Sequence, residues 1–229
     1  MMRLHNIFYR YGNVEALRGV GFSIAQGEIH GLVGMNGAGK TTLLQLISGL
    51  LKMQQGECAL NGSRMTQKDV AFLPTHNYLY SYITGYEYLS LFAAQNPQAD
   101  FEILNRIFKL PLSRLVDEYS TGMRKKLAFM GLMALNRPVF VLDEPFNGVD
   151  LEGSLAFQQA IRMLAAQGKY ILVTSHIFES LTEVCHHIHH LNNGLMNGSY
   201  DRSAFFQLQH LLRHTFEQDH SNDWQQFFG

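Results

Sequence analysis

Glu28-Ile29-His30-Gly31-Leu32-Val33, running directly into Gly34-Met35-Asn36-Gly37-Ala38-Gly39-Lys40-Thr41-Thr42, is the stretch that decides the fold class. Its first six residues read as a buried strand. After Lys40 the apolar positions Leu43, Leu44, Leu46, Ile47, Leu50 and Leu51 line one side of a helix. Between strand and helix the spacing matches Gly-x-x-x-x-Gly-Lys-Ser/Thr at every fixed position. Holding a phosphate requires these residue types. Glycines let successive backbone N–H groups turn inward without a Cβ clash, and the following helix adds the positive end of its dipole. Lys40 can reach β- and γ-phosphate oxygens, and Thr41 offers a hydroxyl to Mg²⁺. A glycine-rich turn with a chance lysine is the bland alternative, and it leaves the flanking strand and helix unexplained.

Outward from this stretch, short apolar runs alternate with helical patterns, the mark of an α/β fold with a largely parallel sheet. Phe8 to Tyr11, Gly19 to Ile24 and Gly56 to Leu60 read as short strands of a small antiparallel sheet, with a turn at Asn61-Gly62. Val70 to Leu73 is a strand ending at Pro74. From Tyr86 to Ala134 the pattern is mostly helical, with breaks at Asn96-Pro97 and Leu110-Pro111, which predicts a helix-rich lobe. Val139 to Leu142 and Tyr170 to Thr174 are buried strands, and Leu151 to Ala166 is a helix stopped by Gly168. The stretch after Tyr200 reads as a polar helix.

Composition narrows the classes. The 229 residues, 46% of them hydrophobic, suffice for a sizeable core. A net charge of −1 argues against strong binding to a nucleic-acid backbone, so no nucleic-acid partner is expected. Two cysteines, Cys58 and Cys185, without CxxC spacing do not make a disulfide scaffold and point to a reducing setting. Met1 to Arg10 lacks the apolar core of a secretory signal, and no stretch of about 18 apolar residues exists to cross a bilayer. Any membrane role is therefore expected to pass through a partner.

Val139-Phe140-Val141-Leu142 ends in two acids, Asp143 and Glu144. A buried strand delivers such carboxylates to the C-terminal edge of the sheet, where ligands bind in this fold class. Phosphoryl transfer uses one carboxylate near Mg²⁺ and one near the attacking water. Asp143 suits the metal and Glu144 the general base, whereas an acidic loop start is the plain alternative. His176, just past the strand ending at Thr174, could donate to a γ-phosphate oxygen; a lone surface histidine is the plain alternative there.

The order of further motifs is more specific. Tyr119-Ser120-Thr121-Gly122-Met123 lies shortly before Asp143. Over residues 3–200 the chain resembles the ATP-binding subunits of ABC transporters, and this pentapeptide resembles their LSGGQ signature, keeping Ser120 and Gly122. Ser120 is a good helix N-cap, and a capped helix start can present N–H groups to an anion. The resemblance implies an α/β P-loop NTPase core, a small antiparallel β subdomain and a helical signature subdomain at about 77–134. The whole of 1–229 would be one domain, with a C-terminal polar tail at about 200–229. It implies ATP hydrolysis with ATP and Mg²⁺: Gly34, Asn36, Gly37, Ala38, Gly39, Lys40, Thr41 and Thr42 at the phosphates, Tyr11 stacked on adenine, Thr41, Thr75 and Asp143 at the metal or its water, and Glu144 and His176 at the γ-phosphate. Ser120, Gly122 and Asp150 of the stretch Asn147-Gly148-Val149-Asp150 would serve the nucleotide held by a second ATPase subunit, identical or paralogous. One departure stands out. Where the family carries Gln after the strand ending in Leu73-Pro74, this chain has Thr75, whose shorter side chain puts coupling to the membrane partner in doubt more than ATP binding.

That partner would be a multi-span membrane permease, which places the subunit in the cytoplasm at the inner face of the membrane. The signature's style favours export. A soluble ABC ATPase acting on ribosomes or DNA is the second reading, and such proteins usually carry two domains or long insertions. A non-hydrolysing module would be expected to lose Lys40 or Glu144. Two further features stay bland at this level. In Cys185-His186-His187-Ile188-His189-His190, a strand puts His187 and His189 on one face and His186 and His190 on the other, and two ligands per face fall short of a metal site. Tyr78, Tyr80, Tyr82, Tyr86 and Tyr88 are either packing residues or a docking surface for the permease.

Overall fold

The computed structural model describes residues 1–93 and 95–228. Ala94, inside the expected helical lobe, and Gly229, the end of the expected tail, lie outside the described residues. Two sheets organise the chain. The first is antiparallel, built from β1 (Met2–Tyr11), β2 (Val14–Ile24), β4 (Gln55–Leu60) and β5 (Ser63–Arg64) in the order β2-β1-β4-β5. The second has six strands in the order β10-β9-β3-β8-β7-β6, comprising β3 (Ile29–Val33), β6 (Val70–Leu73), β7 (Val139–Leu142), β8 (Tyr170–Thr174), β9 (His187–Asn192) and β10 (Leu195–Asp201). Its strands run parallel except β10, which is antiparallel to β9.

β6 and β7 are apolar along their whole length, and β8 up to Thr174, because both faces are covered, whereas β3 and β9 carry histidines. In β7 the side chains alternate between two cores: Phe140 and Leu142 join the cluster shared with the helical lobe, and Val139 and Val141 join the cluster under the antiparallel sheet. Ile171 and Val173 of β8 follow the first pattern, Tyr170 and Leu172 the second. This is the period-two geometry of a strand read out as two cores on either side of one sheet.

Helix α1 (Lys40–Ile47) follows the glycine-rich loop. It stops sooner than the apolar run suggests, because Gly49 takes a left-handed backbone with φ 72° and turns the chain, leaving Leu50 exposed. Between β6 and β7 lie α2 (Gly85–Ala93), α3 (Phe101–Phe108) and α4 (Thr121–Ala134). Asp100 caps α3 by accepting from the Ile103 N–H at 3.1 Å. Phe129 of α4 stacks on Phe157 of α5 (Leu151–Ala166) with centroids 4.4 Å apart, and Phe108 of α3 meets both edge-on. These rings fasten the helical segment to the sheet-covering helix α5. Helix α6 (Phe178–Val184) leads into β9, and α7 (Phe205–Phe228) closes the chain. The stretch after Tyr200 is helical as its pattern predicts, but its first turns are not simply polar: Phe205 and Leu208 are buried in the core. Among the described residues no helix is long and apolar enough to cross a membrane.

The strand order sets the site. The C-terminal ends of β3, β8, β7 and β6, four neighbours in the sheet, lead into the glycine-rich loop, Ser175-His176, Asp143-Glu144 and Pro74-Thr75 respectively.

Candidate nucleotide site

The loop between β3 and α1 wraps back on its own lysine. Lys40 is buried, and its Nζ donates to the Gly34 carbonyl at 2.6 Å and the Met35 carbonyl at 3.3 Å. Burial pulls the ammonium below the ordinary lysine range, and the charges of Glu144 and Asp143 partly counter it. Close packing explains Gly34: a Cβ there would sit 2.1 Å from the Leu191 carbonyl oxygen of β9.

Asp143 is buried, and three threonine hydroxyls from three segments point at it. Oδ1 accepts from Thr174 at 2.7 Å, and Oδ2 accepts from Thr75 at 2.8 Å and from Thr41 at 3.4 Å. A carboxylate held by hydroxyls on separate elements has a fixed orientation before any ligand arrives. Thr174 is the residue that sequence reasoning passed over, reading it only as the end of a strand. The signal was present in part: β8 was expected beside the site, but its place between β3 and β7 was not readable.

Glu144 has a left-handed backbone, φ 52°, which costs a non-glycine residue about 1–3 kcal/mol and persists only where its surroundings over-determine it. They do so from three sides. Its N–H donates to Thr174 Oγ1 at 2.9 Å, its carbonyl accepts from Lys125 Nζ at 2.7 Å, and its Oε2 accepts from the His176 N–H at 3.0 Å. The other oxygen, Oε1, is buried with no hydrogen-bond donor. His176 Nε2 lies 3.3 Å from it, near enough for an ion pair when that ring is charged but not aligned as a hydrogen bond. Such an unspent buried acceptor is an opening for a proton donor brought by a ligand or water. Lys125, also buried and lowered in pKa by that burial, donates its second bond to the Asn147 carbonyl at 2.8 Å. In sequence it lies in the basic run Arg124-Lys125-Lys126 after Met123, and nothing local reveals that it turns inward.

These groups line one cleft of about 400 Å³. Tyr11, Asn36, Gly37, Ala38, Gly39, Lys40, Thr41, Thr42, Thr75, Asp143, Glu144 and His176 all contribute to its wall, together with Val14, Glu15 and Ala16. Tyr11 is half exposed at the rim, with the ring of Tyr9 edge-on to it at 4.9 Å. Ser120, Gly122 and Asp150 do not line this cleft. Ser120 is exposed and caps α4, its Oγ accepting from the Met123 N–H at 3.2 Å. Gly122 presses against the Gly148 carbonyl, which a Cβ would meet at 2.6 Å. Asp150 caps α5 by accepting from the Gly153 N–H at 3.0 Å and pairs with Lys126 at 2.7 Å. The three therefore share an edge built from the starts of α4 and α5, separate from the phosphate cradle.

Comparison with known proteins gives the family. The family model described as "ABC transporter" matches residues 17–147. An uncharacterized ABC transporter ATP-binding protein of Nostoc sp. is 32% identical over 85% of this chain, which spans 63% of that protein's length. The putative ABC transporter ATP-binding protein AlbC of Bacillus subtilis is 32% identical over 82% of this chain and 85% of its own. A solved structure described as the ATP-binding subunit of an ABC transporter superposes with a TM-score of 0.81 at 28% identity, over 88% of this chain and 90% of that one. By these matches the chain belongs to the ABC transporter family as one of its ATP-binding subunits.

Proposed function

We propose that the chain binds ATP with Mg²⁺ and hydrolyses it as one of two ATPase subunits driving transport, in the export direction, through a separate multi-span permease. The observation that carries this reading is Glu144: a buried carboxylate held in a strained backbone by three hydrogen bonds, with one oxygen unspent, in the same cleft as Lys40 and Asp143. Strain so firmly braced at a polar cleft is the signature of a pre-organised catalytic group.

The residues fit the nucleotide. Gly37 has open space where a Cβ would stand, so a phosphate can approach the loop backbone there, with Asn36, Ala38 and Gly39 on the same cleft wall, while Gly34 packs against Leu191 outside it. Lys40 would exchange its loop carbonyls for β- and γ-phosphate oxygens. Thr42 would meet the α-phosphate, and Tyr11 would stack on the base. Thr41, Asp143 and Thr75 are the residues that would hold Mg²⁺ or its waters, and the ion would supply neutralisation of phosphate charge. Thr75 already donates to the Asp143 carboxylate, which supports its reading as the counterpart of the family's Gln. Glu144 accepts a proton from the attacking water through Oε1, and His176 steadies the γ-phosphate.

A single copy leaves the γ-phosphate side open, since Ser120, Gly122 and Asp150 lie on a different edge. A second copy, or a paralogue, turned head to tail would bring those residues over the first copy's cleft. ATP then holds the pair closed and hydrolysis releases it, a two-state motion that a permease converts into alternating access. Tyr78, Tyr80, Tyr82 and Tyr86 are exposed and support a permease-docking surface, whereas Tyr88 is buried and packs inside the lobe. We read 1–229 as one ATPase domain with its helical subdomain at 77–134 and a tail at 200–229, peripheral on the cytoplasmic face of the membrane.

Replacing Glu144→Gln keeps the shape and removes the base. The expected outcome is ATP binding retained, turnover reduced by two to four orders of magnitude, roughly the share of a general base, and a dimer trapped with ATP in light scattering. A monomer with normal turnover would overturn the assignment. The second reading, a soluble ATPase on ribosomes or DNA, would show as co-purification with ribosomes instead of a membrane protein.

A further inference from the structure

The histidine run that follows α6 looks incomplete in sequence because the strand places only two of its side chains on each face. The sheet supplies the missing partners. β3 lies parallel beside β9 with His30 opposite His187 and Leu32 opposite His189. Alternation then puts Glu28 and His30 of one strand on the same face as His187 and His189 of the other. We propose that Glu28, His30 and His187 form a binding site for a divalent transition-metal ion of the zinc class, at the end of the sheet opposite the nucleotide cleft.

The donor atoms have the right kind and spacing. Among the described residues, one atom each from Glu28, His30 and His187 lie within 4.8 Å of one another. His30 Nε2 is 2.8 Å from Glu28 Oε2, and His187 Nε2 is 3.8 Å from Glu28 Oε1. Zinc bonded to nitrogen and oxygen at about 2.0–2.2 Å in a tetrahedron sets its ligands about 3.4 Å apart. The two separations bracket that edge, so small side-chain rotations of Glu28 and His187, both partly exposed, suffice to close on an ion. Two imidazoles and one carboxylate leave the fourth position to water on the exposed side.

The second layer is already built. His30 Nδ1 contacts His189 Nε2 at 2.8 Å, and His189 Nδ1 contacts Ser199 Oγ at 2.7 Å. His30 and His189 are buried, and Phe22 covers the His189 ring with centroids 4.1 Å apart. A ligating histidine needs its other nitrogen to donate to a fixed acceptor. Here His30 Nδ1–H donates to His189 Nε2, and His189 Nδ1–H donates to Ser199 Oγ. Without an ion the direction of the chain reverses. Ser199 O–H then donates to His189, His189 Nε2–H to His30 Nδ1, and His30 Nε2–H to Glu28. Both imidazoles stay neutral in each arrangement, so the ion replaces one hydrogen bond and the proton count is unchanged. Bound there, an ion clips the start of the strand that enters the phosphate loop to the start of β9.

The test uses the full chain, stripped with chelator and titrated with Zn²⁺ against a chromophoric competitor, then with Co²⁺ for its spectrum. One ion per chain is expected, with visible four-coordinate Co²⁺ bands and no thiolate charge-transfer band. Zn²⁺ should also raise the thermal midpoint. Glu28→Gln and His187→Asn, at partly exposed positions, should each weaken binding by at least 100-fold and remove the thermal shift. Ser199→Ala should cost about 10-fold, the usual reach of a second-layer contact. Absence of stoichiometric binding, binding unchanged in both first-layer variants, or binding lost instead in Asp143→Asn would each overturn the site.

Discussion

Thr174 Oγ1 donates to Asp143 and accepts from the Glu144 N–H, so one buried hydroxyl orients both acids. Thr174→Val preserves shape and leaves two buried polar groups unpaired. The expected loss is about 1–3 kcal/mol of stability, read as a lower urea midpoint, with ATP turnover falling as the acids lose their alignment. Thr174→Ser keeps the hydroxyl and should recover most of both; a valine variant equal to wild type would refute the role. At Gly122 two effects oppose each other. Alanine gains about 1 kcal/mol of helix propensity at most, but its Cβ would meet the Gly148 carbonyl at 2.6 Å, and backbone cannot swing aside as a side chain can. Overpacking costs about 1–3 kcal/mol, so Gly122→Ala should destabilise in denaturant unfolding. Asp143, Glu144 and Lys40 were legible as residues from their motif. Lys125 and Thr174 were not, because a lysine in a basic run and a threonine at a strand end have no local mark of turning inward.

Several elements are readable to the residue. The bounds of β6, β7, α5 and β8 follow directly from apolar runs flanked by turn signals. The antiparallel strands were read too short: the expected Phe8–Tyr11 and Gly19–Ile24 are the ends of ten- and eleven-residue strands. Register shifts between Leu4 and Ile7, Ile7 and Phe8, and Tyr9 and Arg10, with Asn6 at φ 52°, break the alternation that would have extended them. The start of α5 carries a prediction at this scale. Asp150 lies below the ordinary aspartate range, first because Lys126 hydrogen-bonds it and next because it accepts from Gly153 N–H. A depressed carboxylate contributes stability above its unfolded pKa and loses it as pH falls through the folded value. Asp150→Asn keeps the cap but loses the charge paired with Lys126, so it should melt slightly below wild type at neutral pH, whereas Asp150→Ala, which loses both, should melt lower still. Below the aspartate range the wild-type advantage over alanine should shrink; an alanine variant equal to wild type at neutral pH would show that the cap contributes nothing.

For the whole assembly, the separation between the cradle and the edge bearing Ser120, Gly122 and Asp150 leads to a mixing experiment. Lys40→Ala alone and Ser120→Arg alone should each be inactive, since every composite site then carries a defect. Mixed, they form one site with Lys40 and Ser120 both intact, and part of the turnover should return. No recovery in mixed dimers, measured by phosphate release, would mean that each copy works alone.

By itself the sequence determined the nature of the machine: the phosphate loop, the two acids after a buried strand and the signature near them are contiguous motifs, and contiguous residues dictate local backbone shape and chemistry. Only the tertiary structure decided which strands are neighbours. Placing β8 between β3 and β7 brings Thr174 to both acids, and folding α4 back turns Lys125 under Glu144 so that its strained backbone is held. Pairing β3 with β9 carries Glu28 and His30 to His187 across a separation of more than 150 residues. Strand order arises from long-range hydrogen bonding and the burial of whole faces, and no window of sequence contains both partners.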